Sequence, residues 1–324
     1  MSKLKLAIAL STLIAISGLW AAPLSGAAHD RLKRLADFSN VRTSESTQRF
    51  GSPILSPVRL KDSEARGLLA NVWIRGSGPF TFAVDTGAGV SLITRDAVSR
   101  AQLQSRPSDV RLLGGLSSGS INSHQITTLQ QVALGSSNNE LRNSFTAAVV
   151  PSLPDGLDGV LDPTKAFQPN GYSIDIPNQE LRILDFSGQG LQAANAPKDG
   201  AIVKWIRRNN EHRPFVRLGD GRLALIDTGS GFGLAVSDGR VVGMDPNRPS
   251  HVVHDLGGGS ISARRVAPVT VNIGSLVLRS VPTDVLFGAP AGTPVILGRD
   301  ALYPFRLTFD PTNQLIEIAP VDQR

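Results

Sequence analysis

The chain carries the same short motif twice. Phe82-Ala83-Val84-Asp85-Thr86-Gly87-Ala88 and Leu225-Ile226-Asp227-Thr228-Gly229-Ser230 are both apolar runs that end in Asp-Thr-Gly followed by a small residue. A single Asp-Thr-Gly is an ordinary turn, because Asp bonds its own backbone and Gly relaxes the local conformation. Two copies 142 residues apart constrain the chain far more when later landmarks repeat with them.

The later landmarks do repeat. Leu113-Gly114-Gly115 begins 28 residues after Asp85, and Leu256-Gly257-Gly258 begins 29 after Asp227. Val132-Ala133-Leu134-Gly135-Ser136 is matched by Val271-Asn272-Ile273-Gly274-Ser275, and Gly159-Val160-Leu161 by Val295-Ile296-Leu297. The run around Ile174-Asp175-Ile176-Pro177-Asn178 has its partner around Phe309-Asp310-Pro311-Thr312-Asn313. The common order predicts one supersecondary plan used twice, with one carboxylate per copy.

Two such carboxylates imply a specific chemistry. Amide hydrolysis needs a base to activate water and an acid to protonate the leaving nitrogen. Carboxyls close enough to share a proton cannot both ionise, so the pair titrates in two separated steps and offers one acid and one base between them. The apolar run ahead of each aspartate predicts a strand that carries it into a dry site. Gly87 and Gly229 are expected to permit a tight turn, and the Thr86 and Thr228 hydroxyls to tie the two loops to each other's backbone.

On these motifs the span from about residue 67 to 320 resembles a pepsin-type, bilobal aspartic protease built from retropepsin-like halves. The resemblance rests on Asp85-Thr86-Gly87-Ala88, Asp227-Thr228-Gly229-Ser230 and Ile296-Leu297-Gly298 ahead of Arg299-Asp300. It implies an all-β fold of two closed, barrel-like lobes around a central cleft. In it, Asp85 and Asp227 hold the catalytic water, and Ile296, Leu297 and Gly298 form a ψ-loop strand behind the aspartate loop. It places flaps at Gly114 and Gly115 and at Gly257 and Gly258. The implied activity is that of an aspartic endopeptidase on polypeptide substrates, working as a monomer with no cofactor and no metal.

Three residues depart from that pattern. Asp162 stands where the second copy has Gly298, and is expected either to disturb the Asp85 loop or to lie on the surface. Ala88 lacks the hydroxyl that Ser230 can offer its aspartate. The only tyrosines, Tyr172 and Tyr303, lie outside both flap segments. These departures motivate a rival reading, a non-catalytic envelope protein that uses the same fold to bind or scaffold peptides.

Composition narrows the setting. Among 324 residues, 32 Gly and 21 Pro punctuate Val-, Ile- and Thr-rich runs, which predicts short strands such as 68–74, 80–84, 91–94, 125–134, 145–150 and 172–184. Lys3 and Lys5, an apolar stretch over 6–20 and the small residues Ser25-Gly26-Ala27-Ala28 read as a cleaved signal peptide over 1–28. The expected organisation is then an extension over 29–66, a first lobe over 67–190, a linker over 191–199 and a second lobe over 200–324. No cysteine is present, so disulfides and thiol chemistry are excluded. An exported chain without disulfides suits the periplasm or secretion from a bacterium, with no membrane span after cleavage. The net charge of +6 is dispersed and predicts no nucleic-acid site.

Two further motifs carry little. Gly115-Leu116-Ser117-Ser118-Gly119 satisfies the serine-hydrolase elbow pattern, but that elbow needs a helix after it and the following residues read as a strand. His251 and His254 beside Asp255 lack metal-protease spacing and are expected at the surface.

Overall fold

The structure is a computed structural model, which describes residues 7–10, 13–14, 51–64, 66–114, 116, 120–208, 211–237, 249–255, 259–290 and 292–321. Most of the signal peptide expected over 1–28 and the larger part of the extension over 29–66 therefore lie outside the described residues. The described chain is mostly β-strand with a few short helices, as an all-β reading requires.

The first half opens with a hairpin of Gly67–Ile74 and Ser77–Val84, joined by a two-residue turn. Arg75 and Gly76 both take positive φ, 51° and 76°, which a two-residue hairpin turn of matching twist requires. Ser91–Thr94 follows the first motif and leads into the helix Arg95–Arg100, whose first turn is capped by the Thr94 hydroxyl accepting the Ala97 N–H. The short strand Gly159–Leu161 then threads between them. It lies parallel to Ser77–Val84 and antiparallel to Ser91–Thr94.

The second half makes the corresponding pairings. Val295–Gly298 lies parallel to Leu223–Asp227 and antiparallel to Leu234–Val236, and leads into the helix Arg299–Leu302. Outside these inner strands the order is also matched. Phe145–Val150 runs parallel to Ser91–Thr94 and is flanked by the hairpin of Ser105–Gly114 and Ser120–Leu129. Thr283–Phe287 runs parallel to Leu234–Val236 and is flanked by the hairpin of Ser250–Asp255 and Ser260–Arg265.

A third sheet draws strands from both halves. Its order is Ala201–Lys204, Leu315–Pro320, Phe305–Asp310, Gly171–Asp175, Glu180–Asp185 and Ser52–Pro53, with Val58–Arg59 also pairing Glu180–Asp185. The seam is the antiparallel pairing of Tyr172 with Phe309 through Asp175 with Arg306. Tyr172 stacks on Phe309 at 4.6 Å between ring centroids, while Phe167 meets Tyr172 and Trp205 meets Phe309 edge-on. Such pairs add about 0.5–1.5 kcal/mol each beyond the area they bury. Residues 186–200, which include the linker expected over 191–199, connect Glu180–Asp185 to Ala201–Lys204, two strands of this same sheet.

The closed, barrel-like sheets expected from the resemblance are not found among the described residues. In the first half the strand order runs open, from Ala7–Leu10, which pairs in parallel with Ser105–Gly114, at one side to Val132–Leu134 on the far edge of Gly67–Ile74. In the second half the hairpin of Val269–Ile273 and Leu276–Val281 stands as a separate two-stranded sheet. Residues 125–134, expected as one continuous strand, divide at Gln131, which takes φ 50° between Ser120–Leu129 and Val132–Leu134.

Candidate active site

Each motif aspartate ends or follows an inner strand whose neighbours are set before the loop begins. The Asp85 N–H donates to the Leu161 carbonyl at 3.0 Å, so the threading strand Gly159–Leu161 fixes the entry to the first loop. Asp227 is itself the last residue of Leu223–Asp227 and registers with Gly298. Both aspartates and both motif threonines are fully buried.

Four reciprocal hydrogen bonds lock the two loops together. The Thr86 N–H donates to Thr228 Oγ1 at 3.2 Å, and the Thr228 N–H donates to Thr86 Oγ1 at 3.0 Å. The Thr86 hydroxyl donates to the Ile226 carbonyl at 2.7 Å, and the Thr228 hydroxyl to the Val84 carbonyl at 3.1 Å. Every donor and acceptor in this set is buried, so each bond avoids the penalty of an unmet polar group.

Inside this lock the carboxyls face the opposite loop. Gly87 N–H donates to Asp85 Oδ1 at 2.7 Å and Gly229 N–H to Asp227 Oδ1 at 3.0 Å. A Cβ on Gly87 would stand 2.6 Å from Asp227 Cγ, and one on Gly229 would stand 2.5 Å from Asp85 Cγ. Both glycines sit in the expected tight turn, closed by the Ala88 N–H donating to the Asp85 carbonyl at 3.4 Å and the Ser230 N–H to the Asp227 carbonyl at 3.3 Å, but neither takes a positive φ, so the turn alone does not demand glycine. The missing side chain makes room for the partner carboxylate.

The electrostatics follow from burial and proximity. Burial pushes Asp227 well above the ordinary carboxylate range, the charge of Asp85 adds to that, and a hydrogen bond with the Asp85 side chain adds further. The Gly229 N–H and the positive charge of Arg213 pull the other way without overcoming it. Two carboxyls in such contact disfavour the ionisation of both at once.

The remaining expected site residues fall as follows. Ala88 packs in a buried apolar cluster with Leu69, Leu92 and Val160. The Ser230 oxygen accepts the Phe232 N–H at 3.3 Å, a bond within its own loop and not one to an aspartate. Ile296, Leu297 and Gly298 lie on the threading strand, and a Cβ on Gly298 would meet the Phe232 carbonyl at 2.4 Å. Gly114 ends one arm of the hairpin Ser105–Gly114 and Ser120–Leu129, while Gly115, Gly257 and Gly258 lie outside the described residues. Tyr172 is buried in the seam and Tyr303 follows the helix Arg299–Leu302, so neither lies on an arm of the hairpins Ser105–Gly114/Ser120–Leu129 or Ser250–Asp255/Ser260–Arg265. The residues after Gly119 form the strand Ser120–Leu129, which removes the serine-elbow reading.

Two residues gain importance that the motifs did not convey. Asp162 neither displaces the Asp85 loop nor reaches the surface. It is 1% exposed, and its Oδ1 accepts the Thr164 and Lys165 N–H groups at 3.0 and 3.4 Å, capping the helix Pro163–Ala166. An Asp directly before Pro is a helix-start signal that could have revealed this. Arg299, also buried, donates its backbone N–H to the Ser230 carbonyl at 2.8 Å. Its guanidinium reaches back to Asp62 Oδ1 at 2.9 Å and to the Ser63 and Glu64 carbonyls. It thereby fastens the segment before the first hairpin to the second aspartate loop.

Residues 70–161 match a family model described as aspartyl protease, a segment that includes Asp85 and the first threading strand. This match supports an aspartic protease family and, with it, a peptidase acting on polypeptides. No curated protein matches the chain. No helix among the described residues is long and apolar enough to cross a membrane.

Proposed function

We propose that this chain is an aspartic endopeptidase in which Asp85 and Asp227 form one catalytic dyad. The observation that carries the proposal is the reciprocal threonine lock, which holds each buried carboxyl against the other loop's glycine. In this reading the two halves are tandem retropepsin-like lobes of a pepsin-like whole, and one chain supplies a complete site as a monomer.

The reaction uses the singly protonated dyad. The ionised carboxylate takes a proton from water as its oxygen attacks the peptide carbonyl carbon, while the protonated carboxyl gives a hydrogen bond and then its proton to the carbonyl oxygen. The resulting tetrahedral diol collapses as the protonated carboxyl delivers a proton to the amide nitrogen, the ionised one takes a proton from a diol hydroxyl, and the C–N bond breaks, which returns the dyad to its singly protonated state. Thr86 and Thr228 hold the loops, and Gly87 and Gly229 leave space for the carboxyls and donate to them. Substrate would pair its extended backbone with the hairpins around Gly114 and between Ser250–Asp255 and Ser260–Arg265. The reading places the mature enzyme in the bacterial periplasm or outside the cell, after loss of residues 1–28.

The test is an assay of protein starting near His29 on a mixed peptide library from about pH 3 to 8, the range in which a carboxyl pair titrates. Cleavage that is inhibited by pepstatin and lost in both Asp85→Asn and Asp227→Asn establishes the dyad. Cleavage that persists in both variants, or none from a folded wild type at any pH, overturns it.

A further inference from the structure

A third carboxyl lies behind the first aspartate loop. Asp162 directly follows Leu161, whose carbonyl accepts the Asp85 N–H, so one peptide group separates it from the bond that fixes the loop. Its own N–H donates to the Ser91 hydroxyl oxygen at 3.0 Å, and Ser91 is buried as well. Its Oδ1 is used by the helix start, while its buried Oδ2 meets no hydrogen-bond donor among the described residues.

The second half is built differently at this point. Ser91 and Gly233 each stand six residues after their aspartate. In the second half the Gly298 N–H donates to the Gly233 carbonyl at 3.1 Å, and a side chain on Gly298 would collide with the Phe232 carbonyl. The first half replaces that backbone bond with a serine side chain and fits a carboxylate where the second admits none. The two aspartates of the dyad are thus backed by different chemistry.

We propose that Asp162 is a positioning residue for the dyad, whose ionisation behind Asp85 governs how readily the Asp85–Asp227 pair releases its shared proton. The inference rests on the aspartic protease reading above. The groups that face Asp162 are few. Lys165 lies on its own helix, Asp85 comes from the motif loop, and Tyr172, on Gly171–Asp175, bonds Thr164 through its hydroxyl. The strand Ser91–Thr94 brings only the Ser91 hydroxyl. Burial drives Asp162 up to about 7, Lys165 opposes the rise and Asp85 adds to it. Tyr172 is pushed well above its ordinary value by burial and stays neutral. As the pH rises through neutrality, a negative Asp162 makes a second negative charge on the dyad harder to form. The singly protonated, working dyad then persists to higher pH.

Asp162→Asn tests this with little change of shape, because Asn also caps helices and only the ionisable charge is lost. The alkaline limb of the kcat/KM profile should move to lower pH by about one pH unit, with the plateau retained. An unmoved limb in a folded variant overturns the proposal. Should Asp162→Asn not fold, Asp162→Ser keeps a capping oxygen and is expected to show the same displacement. A wild type that cleaves nothing rejects the protease reading by itself, and Asp162 is then judged by unfolding. Because its carboxyl is raised in the folded state, the wild type should lose stability relative to Asp162→Asn as pH climbs from about 4 to 7. The same comparison in the Asp85→Asn background should give a smaller loss, since one source of the rise is gone. Equal losses in the two backgrounds show no coupling between the carboxyls and overturn the inference.

Discussion

Gly87 and Asp227, 140 residues apart in the chain, approach so closely that a Cβ on the glycine would stand 2.8 Å from both carboxylate oxygens of the aspartate. Gly229 and Asp85 repeat the relationship at 2.7 Å. Each carboxyl therefore has its position defined by backbone from the other half. Side-chain rotamers alone could not hold two buried acids in contact, because their repulsion drives them apart whenever both ionise.

Gly87→Ala forces that contact apart. The neighbour is a carboxylate held by the Gly229 N–H, so it cannot yield without losing its own bond. Displacement of a reacting group by about 1 Å can cost 10²-fold in rate. Steady-state assays should show kcat/KM reduced by at least about 10²-fold, and thermal unfolding should show a loss of about 1–3 kcal/mol from overpacking. Activity near that of the wild type would mean that the carboxyls need no such definition.

Thr86→Val removes the hydroxyl and nearly keeps the shape. It leaves the Ile226 carbonyl and the Thr228 N–H without their partners in a buried site. Each orphaned group costs about 1–3 kcal/mol. Thr228→Val does the same to the Val84 carbonyl and the Thr86 N–H. Because the two residues belong to one lock, denaturant unfolding of the double variant should depart from the sum of the singles by about 0.5 kcal/mol or more. Strict additivity would show that the two loops hold their places independently.

How much of this was legible beforehand differs from residue to residue. Strands such as Phe145–Val150 and Ser91–Thr94 were legible because β-branched and apolar runs are bounded by Gly, Asn and Ser in the local sequence. The threading strand Val295–Gly298 was legible because an apolar run ending in Gly repeats a spacing. The third sheet was not, since its seam pairs Tyr172 with Phe309, and no local pattern encodes a partner that far along the chain. The reason for Gly87 was hidden for a related cause. Its constraint is a carboxylate from the other half, which spacing alone cannot bring into contact. Asp162 was visible as an anomaly, but only the cap on Thr164 and Lys165 explains how the fold accommodates it.

Arg299 offers a test of the strap between halves. Its side chain is 8% exposed and its guanidinium bonds Asp62, whose side chain is 28% exposed. Removing one member of a fully buried pair costs about 3–5 kcal/mol. Partial exposure of Asp62 reduces that, so Arg299→Ala should lose about 2 kcal/mol in urea unfolding. The strand Lys61–Ser63 should also become open to limited proteolysis, because its anchors on the second half are gone. An unchanged cleavage pattern at 61–64 would show that pairing with Gly67–Ile74 suffices to hold that segment.

The buried carboxyl of Asp227 gives stability its own dependence on pH. Asp227 is raised well above its ordinary value by burial and by Asp85, so the folded protein binds a proton that the unfolded chain has released. A raised carboxyl contributes stability that is fully present below the unfolded value, near 4, and is lost as pH rises through the folded one. Asp227→Asn removes the group whose ionisation is penalised. At acid pH the two proteins should unfold at similar denaturant concentrations. At neutral pH and above, Asp227→Asn should be the more stable, and the gap should widen until Asp227 has titrated. Chemical denaturation of both proteins at about pH 3.5 and 7.5 reads this directly. A gap that does not change with pH would mean that the two carboxyls are not in contact in solution. The threonine lock would then hold the loops together without producing a dyad.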